Sequence, residues 1–359
     1  MKLLPIIICF FCGCFFTINK LKAQTTPIYS NEFLNIGVGG RALAMGNTQV
    51  GIVKDVTAGY WNPAGLLGIK KRYEAALMHS EHFGGIAKYD FASFATRVDS
   101  NSCIGITAIR FGIDDIPDTR FLYDANGNIN YNNVKFFSAA DYGFLVTYSR
   151  RIKGWELGGN FKIIYRNAGN FANAFGFGID AGIQRKFGTW QLGLLLRDVS
   201  TTFNTWTHNT SLLYDVYTQT GNQIPRTSTE LTLPRAILGV GKNLKLSKDI
   251  NMLLAFDAAI TSDGRRNTLL ANDYFSLSPS LGMELDYQKI VFLRAGANQY
   301  QKIKNFDGTQ YAQAQYSFGL GVVIKDFSID YALTRNNTDK TTNALYSNIF
   351  SIKFSFDKL

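Results

Sequence analysis

From about Arg72 to the C-terminus the chain is a succession of short runs in which apolar and polar residues alternate one by one, and nothing else in the sequence limits its fold so tightly. Successive side chains of a β-strand point to opposite faces, so alternation with period two marks a strand whose faces meet different surroundings. The segment from Trp155 to Arg166 is the cleanest instance. Trp155, Leu157, Gly159, Phe161, Ile163 and Tyr165 share one face; Glu156, Gly158, Asn160, Lys162, Ile164 and Arg166 share the other. The same pattern sets Leu254, Phe256 and Ala258 against Ala255 and Asp257, Leu281, Met283 and Leu285 against Ser280, Glu284 and Asp286, and Ile329 and Tyr331 against Ser328 and Asp330.

A soluble sandwich of sheets alternates as well, because one face of each sheet is buried. A transmembrane barrel accounts for more. Aromatic residues close the apolar faces (Trp155 and Tyr165, Trp190, Tyr287), as interfacial girdles require, and the opposite faces carry charged or small residues suited to a polar lumen. Fourteen strand-like runs begin near Arg72, Lys88, Ser102, Phe136, Trp155, Phe171, Thr189, Leu231, Asp249, Asp273, Ile290, Tyr311, Asp326 and Leu345. Short links such as Asp99-Ser100-Asn101 and Lys186-Phe187-Gly188 alternate with longer ones such as 113–135 and 200–230. Short turns at one end and long loops at the other mark an outer-membrane barrel. The expected fold is therefore all-β, a transmembrane antiparallel β-barrel of about 14 strands over residues 72–359. With this alternation Asp141, Glu156, Lys162, Arg166, Asp180, Arg197, Asp257, Glu284, Asp330 and Lys353 project inward, where they line a pathway or pair with one another.

Composition excludes the alternatives. Mean hydropathy is −0.04, and beyond the N-terminus no stretch approaches the ~20 apolar residues of a spanning helix. With 14% aromatic and only 18% charged residues the chain is not disordered. The N-terminus sets the compartment. Met1-Lys2 precedes an apolar run from Leu3 to Ile18, and Ala23 is a small residue suited to cleavage, so residues 1–23 are expected to be a secretory signal removed on export to the outer membrane of a Gram-negative bacterium. Cys9, Cys12 and Cys14 leave with it, so Cys103 has no partner for an internal disulfide. The net charge of +10 includes Lys2, Lys20 and Lys22, which leaves +7 on the mature chain. Basic short turns (Arg150-Arg151-Lys153, Arg185-Lys186) suit anionic lipid headgroups. The scattered charge of an exported chain argues against a nucleic-acid partner.

Residues 24–71 do not alternate and form a separate N-terminal segment. A Gly/Ala-rich stretch surrounds Arg41 and Met45-Gly46, Asp55 follows among small residues, and then comes Trp61-Asn62-Pro63-Ala64-Gly65-Leu66. This combination resembles the PorV/PorQ family, outer-membrane proteins of the type IX secretion system built on the barrel of the FadL fatty-acid transporters. The Asn-Pro-Ala-Gly element is shared with the fatty-acid transporters and so points to the superfamily, and the opening from Phe33 to Ala42 points to the secretion branch. The residues themselves suggest a plug folded inside the barrel, with Arg41 and Asp55 pairing to lumenal charges. Asn62-Pro63 is otherwise a turn that launches the first strand, with Pro63 and Gly65 supplying a stiff exit and a tight bend.

No catalytic constellation stands out. His79 and His82 have the i, i+3 spacing that a strand sends to opposite faces, so no metal site is expected there, and no cofactor is implied. The resemblance implies a non-enzymatic secretion component that receives cargo with a C-terminal sorting domain from a large SprA-like translocon barrel. Its docking surface would be the long loops, with Phe121, Tyr123, Tyr131, Phe203, Trp206, Tyr214 and Tyr217 as candidate contacts, since aromatic side chains anchor interfaces. The alternative is a FadL-like transporter that carries an apolar small molecule through its lumen.

Overall fold

A computed structural model describes residues 30–82, 84–124, 126–219, 221, 227–304, 308–336 and 346–358. The expected signal segment (1–23) and Leu345 lie outside the described residues. The wall is a closed antiparallel barrel of 14 strands. In chain order these are β1 (Tyr73–His82), β2 (Ala87–Arg97), β3 (Ser102–Asp118), β4 (Lys135–Ile152), β5 (Trp155–Ala168), β6 (Ala172–Phe187), β7 (Trp190–Arg197 continued by Thr202–His208) and β8 (Thr227–Thr232 continued by Arg235–Lys245). The circuit is completed by β9 (Ile250–Thr261), β10 (Ser276–Tyr287), β11 (Val291–Lys304), β12 (Gln310–Ile324), β13 (Phe327–Asn336) and β14 (Tyr346–Phe356). Each strand pairs with the next, and β14 returns to β1 from Tyr73↔Phe356 to Glu81↔Asn348, so the sheet has no free edge. Closure is what hydrocarbon demands, because an unpaired backbone group has no water to turn to.

The two faces of the wall divide by chemistry. Leu77, Ile106, Phe161, Phe177, Leu254, Leu281, Leu320 and Phe350 point outward and are exposed on the isolated chain. Thr147, Lys162, Asp180, Arg197, Asp257, Glu284, Arg294 and Asp330 point inward and are buried. On a soluble protein such an apolar exterior would aggregate; around a barrel it is the lipid-facing belt.

β7 and β8 correct one expectation. The stretch 200–230 reads as a single long loop, but both strands resume beyond their interruptions. β6 pairs with the first piece of β7 up to Ala181↔Leu196 and with the second from Phe177↔Phe203, a shift in register taken up at 198–201, where Asp198 and Thr201 adopt positive φ. β8 is interrupted at Leu233-Pro234, where proline has no N–H for the ladder. Phe203 and Trp206 are therefore wall residues, Phe203 on the outer face and Trp206 on the inner face beneath the Arg166 guanidinium, 5.0 Å from its ring centre.

Residues 30–71 run through the interior as short pieces: a 3₁₀ turn (Glu32–Asn35), two helical turns (Gly40–Ala44 and Ala58–Trp61) and a second 3₁₀ turn (Pro63–Gly68). Pieces this short do not form alone. The wall holds them at backbone distance, and glycine makes that approach possible. A Cβ at Gly158 would stand 2.4 Å from the Pro63 carbonyl carbon, and one at Gly296 would stand 2.1 Å from the Gly46 nitrogen. Gly158→Leu should therefore unseat the segment while leaving the wall strands paired. The expected result is a heat-shifted folded band on gels together with new trypsin cleavage at Lys54, whereas an unchanged digestion pattern would contradict this packing.

Candidate functional site in the barrel lumen

The lumenal segment is fixed by charge. Arg41 forms a two-point pair with Glu284, Nε to Oε2 at 2.8 Å and Nη2 to Oε1 at 2.9 Å. Glu284 Oε2 also accepts from Arg294 Nε at 2.6 Å, and Arg294 Nη1 donates to Asp330 Oδ1 at 2.7 Å. These four residues make a chain of alternating charge from the segment across β10, β11 and β13, and parallel guanidinium–carboxylate bonds fix direction as well as distance. At a second anchor Lys353 Nζ donates to Asp55 Oδ2 at 2.6 Å, while the Thr57 backbone N–H and hydroxyl donate to Asp55 Oδ1. Burial alone would raise the Asp55 carboxyl, but the Lys353 ammonium, the Thr57 hydroxyl and Arg41 together hold it well below the usual carboxylate range. Lys54 pairs with Glu156 nearby.

Backbone groups of the segment are met by inward side chains. Asp257 accepts the N–H groups of Gln49 at 2.7 Å and Val50 at 2.9 Å, and Glu74 accepts that of Val56 at 2.8 Å. Arg197 donates to the carbonyls of Leu34 and Tyr60 and lies 4.9 Å from the centre of the Tyr60 ring. The quoted motif residues have local roles. Trp61 Nε1 donates to the Val38 carbonyl; Asn62 caps the turn that Pro63 opens, accepting from the Ala64 N–H and donating to the Val50 carbonyl. Gly65 passes so close to Val53 that a Cβ would stand 2.4 Å from its carbonyl oxygen.

Two further groups of inward charges complete the wall. Lys162 Nζ lies 2.8 Å from Asp180 and 2.5 Å from Asp198, all three buried, at the interruption of β7. Arg166 pairs with Asp141 and Glu230. Gly176 and Gly178 of β6 leave room for the Asn204 and Thr202 side chains, each less than 2.5 Å from where a Cβ would stand. His79 faces outward against Asp90 at 2.7 Å, and His82 faces inward against Ser80 and Ser347.

Of the aromatic loop candidates, Phe121, Tyr123, Tyr131 and Tyr214 are exposed at the long-loop end, Tyr131 by 77%. Tyr217 lies with Tyr214 on the helix Thr210–Gln219. The loops touch: Arg120 Nη1 donates to the Leu212 carbonyl and its guanidinium sits 4.6 Å from the Phe171 ring centre. Below them, a cavity of about 650 Å³ opens between residues 32–61 of the segment and the inner faces of β8 to β11. Tyr60, Trp61, Arg197, Arg235, Asp257 and Asn298 are among its lining residues. Sequence reasoning passed over Arg235 and Asn298. Arg235 shares the inner face with Ile237 and Gly239, so extending the alternation of β8 past Pro234 was the available signal.

No protein-family model matches the chain, and no curated protein matches it. Solved structures are similar in fold. The CymD monoaromatic hydrocarbon channel is 12% identical over 90% of this chain and 98% of its own, with a TM-score of 0.59. The P. putida toluene transporter TodX is 13% identical over 90% and 99%, with a TM-score of 0.57. A Pseudomonas aeruginosa FadL homologue is 13% identical over 88% and 97%, with a TM-score of 0.50. The fold is FadL-like. Within this FadL-like barrel the segment and wall are joined by pairs that leave a part-buried charge behind when one partner is lost, which costs stability though less than the ~3–5 kcal/mol of a fully buried pair. Asp55→Asn and Lys353→Met should each lower the urea midpoint of the reconstituted barrel, and the double variant should recover part of the loss. Because Asp55 titrates lower in the folded chain than in the unfolded one, its contribution is full above about pH 4 and is lost as pH falls through the folded value. Acidification should thus cost the wild type more stability than Asp55→Asn; equal losses would refute the pairing.

Proposed function

We propose that the protein is an outer-membrane channel for small organic molecules with an apolar body, taken up at the long-loop end and released past the lumenal segment. The observation that carries this reading is the cavity of about 650 Å³ set between residues 32–61 and β8 to β11, with Tyr60 and Trp61 among its lining residues. The FadL-like fold supports it, since similar structures include a monoaromatic hydrocarbon channel and a toluene transporter. Arg41 and Asp55 act in this reading as the fastenings of a plug, with Trp61, Asn62, Pro63 and Gly65 shaping its end. Cells that lack such a channel should take up labelled toluene several times faster when they express the chain. Uptake no faster than with an empty vector would overturn the reading.

A second reading keeps the chain in type IX secretion. It is favoured by the opening from Phe33 to Ala42 and by the exposed aromatic rings of Phe121, Tyr123, Tyr131 and Tyr214, which suit contact with a translocon barrel or a cargo domain. Affinity purification from native outer membranes in mild detergent separates the two. Recovery of a giant barrel, or of several proteins sharing a C-terminal domain, supports secretion, and loss of that recovery in Tyr131→Ala/Tyr214→Ala would place the contact in the loops.

A further inference from the structure

The outer face of the wall treats its cations in two ways. Toward the long-loop end Lys88 and Arg110 point outward and each is paired, Lys88 with Asp114 at 3.1 Å and Arg110 with Asp90 at 3.3 Å. Toward the short-turn end Arg185 of β6 and Lys242 of β8 also point outward, since their neighbours Gln184 and Gly241 are buried on the inner face. Among the described residues neither meets a carboxylate. Aromatic rings hold them instead. The Arg185 guanidinium lies 4.5 Å from the Trp155 ring centre and 4.7 Å from that of Phe187, and the Lys242 ammonium lies 4.5 Å from that of Trp190. Phe187 faces Trp190 and Trp190 faces Lys242 on successive strands, so these rings and cations form one band at the rim. A ring face attracts a cation, but it leaves most of the N–H donors of a guanidinium or ammonium without an acceptor. A trough of about 580 Å³ opens on the same outer face and reaches the band at Trp190 and Lys242. Its floor is Ala295 and Ala297 of β11, set between Met283 and Leu281 of β10 and Phe318 and Tyr316 of β12. Small residues between tall ones sink the floor, which leaves an apolar furrow with cations at one end.

We propose that this rim and trough hold an anionic glycerophospholipid of the leaflet at the short-turn end. The phosphodiester takes Lys242, whose charge no carboxylate of the chain neutralises, and the headgroup extends past Trp190 toward Arg185. An acyl chain lies in the trough over Ala295 and Ala297, where the wall would otherwise leave a gap against the bilayer. Phosphatidylethanolamine carries its own ammonium beside its phosphate and gains less from two cations than phosphatidylglycerol does. The site is on the outside of the barrel, so it is independent of whether the lumen passes small molecules or the chain serves secretion.

The purified full chain in detergent is offered equal amounts of palmitoyl-oleoyl phosphatidylglycerol and palmitoyl-oleoyl phosphatidylethanolamine, and the lipid it retains is read by native mass spectrometry. Phosphatidylglycerol should be retained over phosphatidylethanolamine by roughly tenfold. Arg185→Gln/Lys242→Gln should bring that ratio close to one, whereas Lys325→Gln, which removes a turn cation that does not line the trough, should leave it unchanged. Ala295→Phe fills the floor with both cations in place and should lower retention of phosphatidylglycerol severalfold. Equal retention of the two lipids by the wild type overturns the proposal, as does a Lys325→Gln loss equal to that of the double variant, or full retention in Ala295→Phe. If the double variant gives no heat-shifted folded band, the wild-type ratio and Ala295→Phe decide the matter.

Discussion

The Arg41–Glu284–Arg294–Asp330 chain of charges is the interaction on which the interior depends. Residues 30–71 have no secondary structure longer than six residues, so local propensity fixes neither their path nor their orientation. What fixes them is contact with the wall, and the wall can offer charge because its inner face never meets lipid. Buried ion pairs add little stability over well-packed apolar groups, but they discriminate strongly between positions, since a mismatch strands an ion away from water. Two anchors, Arg41 on β10 and Asp55 on β14, fix both the height of the segment and its rotation about the barrel axis.

The wall was legible in the sequence for a physical reason. Lipid outside and polar groups inside impose opposite demands on neighbouring residues, so the alternation of Trp155 to Arg166, or of Leu281 to Asp286, is written by the environment and not by propensity. All fourteen expected starts fall within four residues of the strands observed. Legibility failed at β7 and β8. Outward positions of the second β7 piece are Phe203, Thr205 and Thr207, so the apolar half of the signal is lost there, and Ser200, Thr201 and Pro234 read as loop residues. Strands that continue beyond the apolar belt need only one face specified, and a bulge then resets which face that is.

The motif residues of the N-terminal segment show a different limit. Arg41, Asp55, Trp61, Asn62, Pro63 and Gly65 are all tightly engaged, but with backbone carbonyls, turn N–H groups and countercharges of the same chain. A short motif of this sort records how the segment is seated, which every barrel with a seated segment needs, and it says little about what passes. Arg235 and Asn298 line the cavity and each has an atom with no partner among the described residues. They lie on β8 and β11, at least 170 residues from the motif along the chain, on strands whose inner faces the lipid leaves unconstrained.

That separation lets one scaffold serve different cargo. The belt and the ladder are constrained by the bilayer, and the segment by its anchors, but the upper inner face of β8 to β11 meets the segment only in part, through residues such as Asp257 and Arg235. An unpaired buried donor there costs about 1–3 kcal/mol until something accepts its hydrogen bond. A group that offers no acceptor cannot repay that cost, so the polar side chains of this face are costly to leave against apolar surroundings. Exchange of one such residue would change the chemistry of that face without touching the barrel, the belt or the two anchors of the segment.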